Sequence, residues 1–327
     1  LAAVLADELA FWRDDASANP DAEVLAALRP GLSNLPGTLL LLASSPYAKR
    51  GELYRAFREH WGRDDSRVLV WRGASLEMNS VLDPSIVERA YEDDPASAAA
   101  EYGAEFRNDI AAFVSREVVE ACTAPGRHEL PPLPGITYRA FVDPSGGSSD
   151  SMTLAIGHHH DGNAIVDAIR ERKPPFSPEA VVEDFCATMK AYRIATVTGD
   201  RYAGEWPREQ FRKQGIAYEL SEKPKSDLYR DLLPLLNSGK VELLDIKQLA
   251  TQLCGLERRT ARGGRDSIDH APAAHDDIAN AVAGLVGLAS QPRRSLVITD
   301  EALARSRMPS RFSGRSAGYS VLASKGF

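Results

Sequence analysis

Apolar residues recur along this chain in two rhythms, and the change of rhythm marks its elements. Short apolar or alternating runs end at turn-forming residues: Leu1 to Ala6, Leu39 to Leu42, Val68 to Trp71, Ile136 to Asp143, Ser151 to Gly157, Ala164 to Arg170, Ile194 to Asp200, Ile216 to Leu220 and Val241 to Leu244. Runs of this length, several rich in β-branched and aromatic residues, predict strands. Between them, apolar residues at three- and four-residue spacing predict helices over 52–61, 84–93, 96–106, 178–192, 205–214, 226–236, 245–259 and 276–290, with Gly215 and Asn237-Ser238-Gly239 as stops. Asp161-Gly162 predicts the turn of a hairpin between the runs at 151–157 and 164–170. Strands alternating with helices predict an α/β chain, with a parallel sheet in its first part.

One stretch breaks both rhythms. Ala124 to Gly135, APGRHELPPLPG, is too rich in proline and glycine for regular structure. The chain is therefore expected to divide into residues 1–115, a linker 116–135, a second domain 136–290 and a tail 291–327. From Gln291 onward no period is legible; the composition there is rich in serine and arginine and mildly basic.

Composition adds boundaries. The 327 residues carry a formal charge of −7, with 43% hydrophobic and 26% charged content, as in a globular protein. No run approaches the length of a membrane span, and the first ten residues lack the basic flank of a signal peptide. The acidic balance argues against indiscriminate nucleic-acid coating but leaves local basic patches open. Cys122, Cys186 and Cys254 are few, odd in number and far apart, which suggests buried thiols in a reducing compartment.

The candidate chemistry lies where strands end. Ile136 to Asp143 and Ile194 to Asp200 both close on a carboxylate followed by turn residues, the arrangement that delivers an acid to the carboxyl edge of a sheet. Asp276 and Asp277 precede a run of small and apolar residues, Ile278 to Leu288, and so open a helix, where the macrodipole favours negative charge. Carboxylates from two strand ends and a helix can converge on Mg²⁺ or Mn²⁺. Two such ions can cleave a phosphodiester, with Asp143 bridging them. Asp276 and Asp277 are both candidates for the third position; a shared helix face with Asn280 favours Asp277. His275 reads as a cap or a proton carrier, and Asp150 as a turn residue or a support for the loop after Asp143. His158-His159-His160 on an extended segment point to alternating faces and are expected at an exposed hairpin end.

The first run, Leu1 to Ala6 followed by Asp7 and Glu8, has the Walker B pattern of P-loop ATPases, in which the Asp holds Mg²⁺ and the Glu orients water. No phosphate loop of the form G-x-x-x-x-G-K-[ST] occurs. An ATPase domain would then be incomplete in this chain, with no ATP hydrolysis expected from it alone. Ser44 and Ser45 end the second run as a sensor or a turn cap. Basic groups at Arg170, Arg172 and Lys173, and at Arg258, Arg259, Arg262 and Arg265, are candidate phosphate contacts.

Taken in order, AVLADE with Phe11-Trp12, LLLLASSPYAKRG, FVDPSGG, VTGD and GRDSIDHAPAAHDDIANAVAG resemble the large terminase subunit of tailed phages, over roughly residues 1 to 290. The resemblance implies part of a P-loop ATPase with a parallel sheet, followed by a ribonuclease H-like (RuvC-type) mixed sheet flanked by helices. It implies Asp7 and Glu8 as Walker B residues, Ser44 and Ser45 as the coupling segment, and Asp143, Asp200 and Asp277 (or Asp276) as the nuclease carboxylates. It further implies a metal-dependent endonuclease that cuts concatemeric double-stranded DNA during packaging. The partners would be DNA, a portal protein and a small terminase subunit, in the host cytoplasm and transiently at the procapsid portal, with no membrane. ATP is implied only for a complete ATPase domain. Two other readings stand beside this one: another ribonuclease H-like nuclease of the resolvase or transposase kind, and a non-catalytic prophage remnant that binds portal or DNA.

Overall fold

A computed structural model describes residues 1–14, 17, 19–64, 66–148, 150–200, 205–260, 266–272 and 274–290. Arg262, Arg265 and the tail 291–327 lie outside the described residues. In the first part, β1 (Ala3–Ala6) pairs in parallel with β2 (Leu39–Leu42), Ala3 opposite Leu39 through Ala6 opposite Leu42. The crossover between them carries a 3₁₀ turn (Leu9–Phe11) and α1 (Pro20–Leu32). After β2 come α2 (Gly51–His60), α3 (Ser75–Met78), α4 (Pro84–Asp93) and α5 (Pro95–Glu101). Proline leads α4 and α5, and Asp83 and Asp94 accept hydrogen bonds from the N–H groups of Ser85, and of Ala96 and Ser97. These carboxylates satisfy the amides that a helix start leaves unpaired.

Two expectations fail in this part. The run Leu39 to Leu42 reads as a fully buried strand, but Leu39 and Leu41 are exposed, as is Leu5 beside them, because the two-stranded sheet is covered on one face only by the described residues. Val68 to Trp71 forms no strand; Leu69 and Trp71 stand in solvent, and no strand among the described residues pairs with them.

The larger sheet is built from β4 (Thr123–Ala124), β5 (Tyr138–Asp143), β6 (Met152–His160), β7 (Asn163–Arg172), β8 (Thr196–Gly199), β9 (Ala217–Leu220) and β10 (Val241–Leu244), in the order β4-β10-β7-β6-β5-β8-β9. The three central strands run antiparallel, β8 and β9 are parallel to β5, and β10 is parallel to β7. The order β7-β6-β5-β8-β9, three meandering strands then two parallel ones on the far side of the first, is the mixed sheet expected of a ribonuclease H-like fold. Asp161 and Gly162 both have positive φ, 47° and 85°, and make the two-residue hairpin turn.

Helices cover both faces. On one side lie α6 (Arg116–Ala121), α9 (Lys225–Asn237), α10 (Lys247–Gly255) and α11 (Asp277–Ala289), which share a core with Phe141, Ala155 and Val166. On the other, α7 (Pro178–Ala191) and α8 (Glu205–Lys213) pack on Val142, Leu154 and Ile156 through residues such as Val182, Phe185, Met189 and Phe211. Phe141 and Val142 thus point to opposite faces, as consecutive strand residues must. A Cβ on Gly284 would lie 2.4 Å from the Phe141 ring, so α11 needs its small residues to approach β5 this closely.

A third, three-stranded sheet comprises β3 (Ile110–Ala112), β11 (Leu256–Thr260) and β12 (Asp266–His270), with β11 in the middle and antiparallel to both neighbours. The single helix expected over 245–259 is therefore corrected: α10 stops at Gly255, and the next five residues form a central strand hydrogen-bonded on both edges. Residues 116–124, counted with the linker on composition, form α6 and β4, and β4 joins the sheet beside β10. No helix among the described residues is long and apolar enough to cross a membrane.

Candidate functional site

Asp143 is the last residue of β5, opposite Thr153 of β6. On its other side Val142 pairs with Gly199, the last residue of β8, and the Asp200 N–H donates to the Val142 carbonyl at 3.4 Å. Asp143 and Asp200 therefore leave neighbouring parallel strands at the same edge, as their strand-end positions predict. Gly199 lets Tyr218 lie against β8, since a Cβ there would meet the Tyr218 hydroxyl at 2.2 Å; that hydroxyl donates to the Asp200 carbonyl at 3.2 Å.

The start of α11 is fastened to this edge. Thr153 Oγ1 donates to the Asp277 carbonyl at 2.8 Å, and Asn280 Nδ2 donates to Asp143 Oδ2 at 2.8 Å. Asp277 and Asn280, three residues apart, share the face turned towards Asp143. Burial, and then the charges of Asp277, Asp200 and Asp276, push the Asp143 carboxyl up to about 8 against the lowering effect of Asn280. The Asp277 carboxyl is pushed up to about 6, first by burial and then by Asp276. Water is thus withheld from acids that also repel one another.

Two acceptor atoms at this edge, Asp277 Oδ2 and Asn280 Oδ1, are buried without a hydrogen-bond donor among the described residues. Oxygen atoms left unsatisfied beside mutually repelling carboxylates fit a hard divalent cation, which takes oxygen ligands. Asp143, Asp200, Asp277 and Asn280 are the residues that could hold it.

Asp276 is placed differently. It is buried, and its Oδ2 accepts a hydrogen bond from the Tyr229 hydroxyl at 2.7 Å and pairs with Lys225 Nζ at 3.1 Å. Asp269, His270 and Asp276 are close enough to share a metal ion, but Lys225 Nζ stands 2.6 Å from Asp269 Oδ1 as well. Its ammonium already supplies the positive charge there. Tyr229 and Lys225 are missed by the sequence reading. They lie four apart on α9, and nothing in their surroundings marks a carboxylate 47 or 51 residues away. Gln252 is missed likewise; its Oε1 accepts the Ala279 N–H at 2.9 Å and caps α11 from α10. In the loop after Asp143, Ser145 Oγ donates to the Asp150 carbonyl at 2.6 Å, and the Asp150 charge reaches Asp277.

The remaining candidates fall elsewhere. Asp7 and Glu8 are exposed at the end of β1, where the Asp7 Oδ1 accepts the Glu8 N–H and Glu8 is left-handed at φ 52°. Ser44 is brought beside them, accepting the Ala10 N–H at 3.1 Å and donating to the Ser45 carbonyl at 2.9 Å. Arg258 and Arg259 lie on β11, within the stretch expected to be helical. Arg259 reaches inward to Glu257 and the His270 carbonyl, whereas Arg258 stays half-exposed near Asp266. Arg170 and Arg172 pair with Glu129 and Asp184. The triple histidine is not a wholly exposed hairpin end. A register shift in the β6–β7 pairing puts Asp167 against His158, a buried pair at 2.6 Å, while His159, which contacts the Ala289 carbonyl, and His160 are exposed. His275 is exposed.

No protein-family model matches this sequence, and no relative is found among curated proteins. Its neighbours among solved structures are phage large terminase chains. It is similar to the large terminase nuclease from thermophilic phage G20c with bound magnesium, at TM-score 0.47 and 18% identity over 54% of this chain and 96% of that one. It is similar to the HK97 bacteriophage large terminase at TM-score 0.45 and 15% identity, over 88% and 70% of the two chains. For the large terminase of a further thermophilic bacteriophage the values are 0.46 and 14%, over 88% and 70%.

Proposed function

We propose that this chain is a terminase-type nuclease that cuts double-stranded DNA with divalent metal ions, Mg²⁺ or Mn²⁺, held by Asp143, Asp200 and Asp277. The observation that carries the reading is the edge where two strand-end carboxylates meet a helix-borne one, with the unpaired oxygens of Asp277 and Asn280 between them. Bound there, the ions would supply Lewis acidity and a nucleophile at neutral pH. The chain's own residues do the rest. Asn280 holds one oxygen of Asp143 and so orients the carboxylate that would help to hold the ions. Thr153 fixes the first turn of α11, and with it Asp277, against β6. Tyr229 and Lys225 hold Asp276, which anchors the helix and is not itself a metal ligand.

In this reading residues 1–115 belong to an ATPase domain with Asp7 and Glu8 as its Walker B acids, and with Ser44 and Ser45 coupling hydrolysis to movement. Residues 116–135 connect it to the nuclease, 136–290, and 291–327 form a basic tail. Portal protein, small terminase subunit and concatemeric DNA are the proposed partners, in the host cytoplasm. Arg258, with Arg262 and Arg265, is proposed to meet DNA phosphates, whereas Arg259 is spent on Glu257. Incubation of supercoiled plasmid with the chain tests the proposal. Nicking and linearisation with Mg²⁺ or Mn²⁺, abolished by EDTA and in Asp143→Asn and Asp200→Asn, are expected. A folded wild-type chain that leaves plasmid intact with either metal, or variants that cut as well as wild type, would overturn it.

A further inference from the structure

Away from the carboxylate edge, a cavity of about 260 Å³ lies between the segment after β1, the start of α2, and the nuclease elements α10 and the β12–α11 connection. Its polar lining is rich in donors: Arg13, Arg50, Arg116, Gln252, His270 and His275. Asp7, Glu8, Ser44 and Ser45 do not line it, so it is separate from the proposed ATPase residues.

The cations here are unequally matched. Arg50 is taken up by Glu257 at 2.6 Å, and Arg116 stands near Glu120 at 3.6 Å. The Arg13 guanidinium lies over the Tyr47 ring at 5.9 Å, and its Nη1 donates to the carbonyls of Ala10 and Trp12 at 3.1 and 2.7 Å. Its Nε is buried without an acceptor, and no carboxylate lies within ion-pair distance of it among the described residues. Burial and the neighbouring Arg50 charge pull the Arg13 pKa down, and the charges of Glu257 and Asp21 offset this only in part. Two acids also line the cavity, Asp14 and Asp21, and Asp21 is occupied with the N–H groups of Ala22 and Glu52.

Gln252 supplies an independent sign. It is 5% exposed, and its oxygen is identified by the Ala279 N–H that it accepts. Its Nε2 is therefore a buried donor, and it has no acceptor among the described residues. Buried donors are rarely left unmade. An unpaired guanidinium nitrogen and an unpaired amide on one cavity ask for a ligand that is anionic and carries several acceptor oxygens, which is the chemistry of a phosphate group. Trp12, Tyr47 and Leu53 give the same cavity an aromatic and apolar wall.

We propose that this cavity binds a small phosphate-bearing anion, a free polyphosphate or a nucleotide, with Arg13 and Gln252 as its principal donors. Because Gln252 also caps the first turn of α11, the occupant would rest on the residue that steadies Asp277 and Asn280. The site stands apart from the nuclease reading and is tested without DNA or metal.

The test is calorimetric titration of the full chain with inorganic pyrophosphate in EDTA, against sulfate at equal ionic strength, and in parallel with ADP. Saturable pyrophosphate binding beyond that of sulfate is expected, weakened tenfold or more in Arg13→Gln. Gln252→Glu keeps an acceptor for the Ala279 N–H but replaces the donor with an acid, and is expected to abolish binding while melting like wild type. ADP binding tighter than pyrophosphate would assign a nucleotide, and equal or weaker binding a free polyphosphate. Heats no greater than those of sulfate, or unchanged affinity in both variants, would overturn the proposal.

Discussion

Adjacent aspartates at the start of α11 have opposite surroundings, and this separates their roles. Asp276 is buried and held by Tyr229 and Lys225, so its charge is matched. Asp277 has an unpaired buried oxygen and a carboxyl raised by burial and then by Asp276. Asp277→Asn is therefore expected to remove plasmid cleavage, a loss of a hundredfold or more, without lowering stability. Asp276→Asn is expected to destabilise the fold by about 1–3 kcal/mol, because it weakens charge-assisted hydrogen bonds in a buried place. Urea unfolding and cleavage rates on the same two preparations check both; equal stability losses would contradict the division. The same acids fix a pH dependence. With folded values raised to about 8 and about 6 against an unfolded value of 3.8, the folded state holds more protons than the unfolded state between those limits. Stability of the metal-free chain must then fall as pH rises through that window, and protonation or a bound cation relieves it.

At the scale of elements, α11 is defined by what it lacks. Gly284 lies against the Phe141 ring and Asn280 reaches Asp143, so the helix sits close over β5. Gly284→Ala would gain helix propensity, but its methyl has no room. A net loss of about 1–3 kcal/mol is expected, with impaired cleavage as α11 is displaced, and thermal melting checks the sign. Much of this layer was legible. The Asp-Gly turn announced the β6–β7 hairpin, two strand ends announced Asp143 and Asp200, and the small-residue run announced α11. The β11–β12 hairpin was not legible. Leu256 to Thr260 is too short and too polar to show a strand period, and Glu257 is buried only because distant side chains meet it. Tyr229, Lys225 and Gln252 escaped for the same reason, since each acts on a residue far away in the chain.

For the whole molecule, Glu257 is the most telling contact. It is wholly buried and accepts hydrogen bonds from Tyr47 at 2.7 Å, Arg50 at 2.6 Å and Arg259 at 3.2 Å. It thus joins the segment after β2 to the strand pair that leads into α11, and the Tyr47 hydroxyl is pushed up to about 12 by burial and by this carboxylate. Glu257→Gln would leave two arginines facing a neutral amide. A loss of about 1–3 kcal/mol is expected, with earlier proteolysis near residues 47–50, and an unchanged proteolysis pattern would speak against the link.

The central claim, a carboxylate edge that binds a divalent ion, is tested most directly by thermal melting between pH 5 and pH 8, in EDTA and in Mn²⁺, for wild type and Asp143→Asn. The difference between the two chains isolates the acid edge from every group that they share. Relative to the variant, the metal-free wild type should lose stability as pH rises, and Mn²⁺ should restore it in the wild type alone. A wild type that follows the variant across the range and gains nothing from Mn²⁺ would contradict the claim.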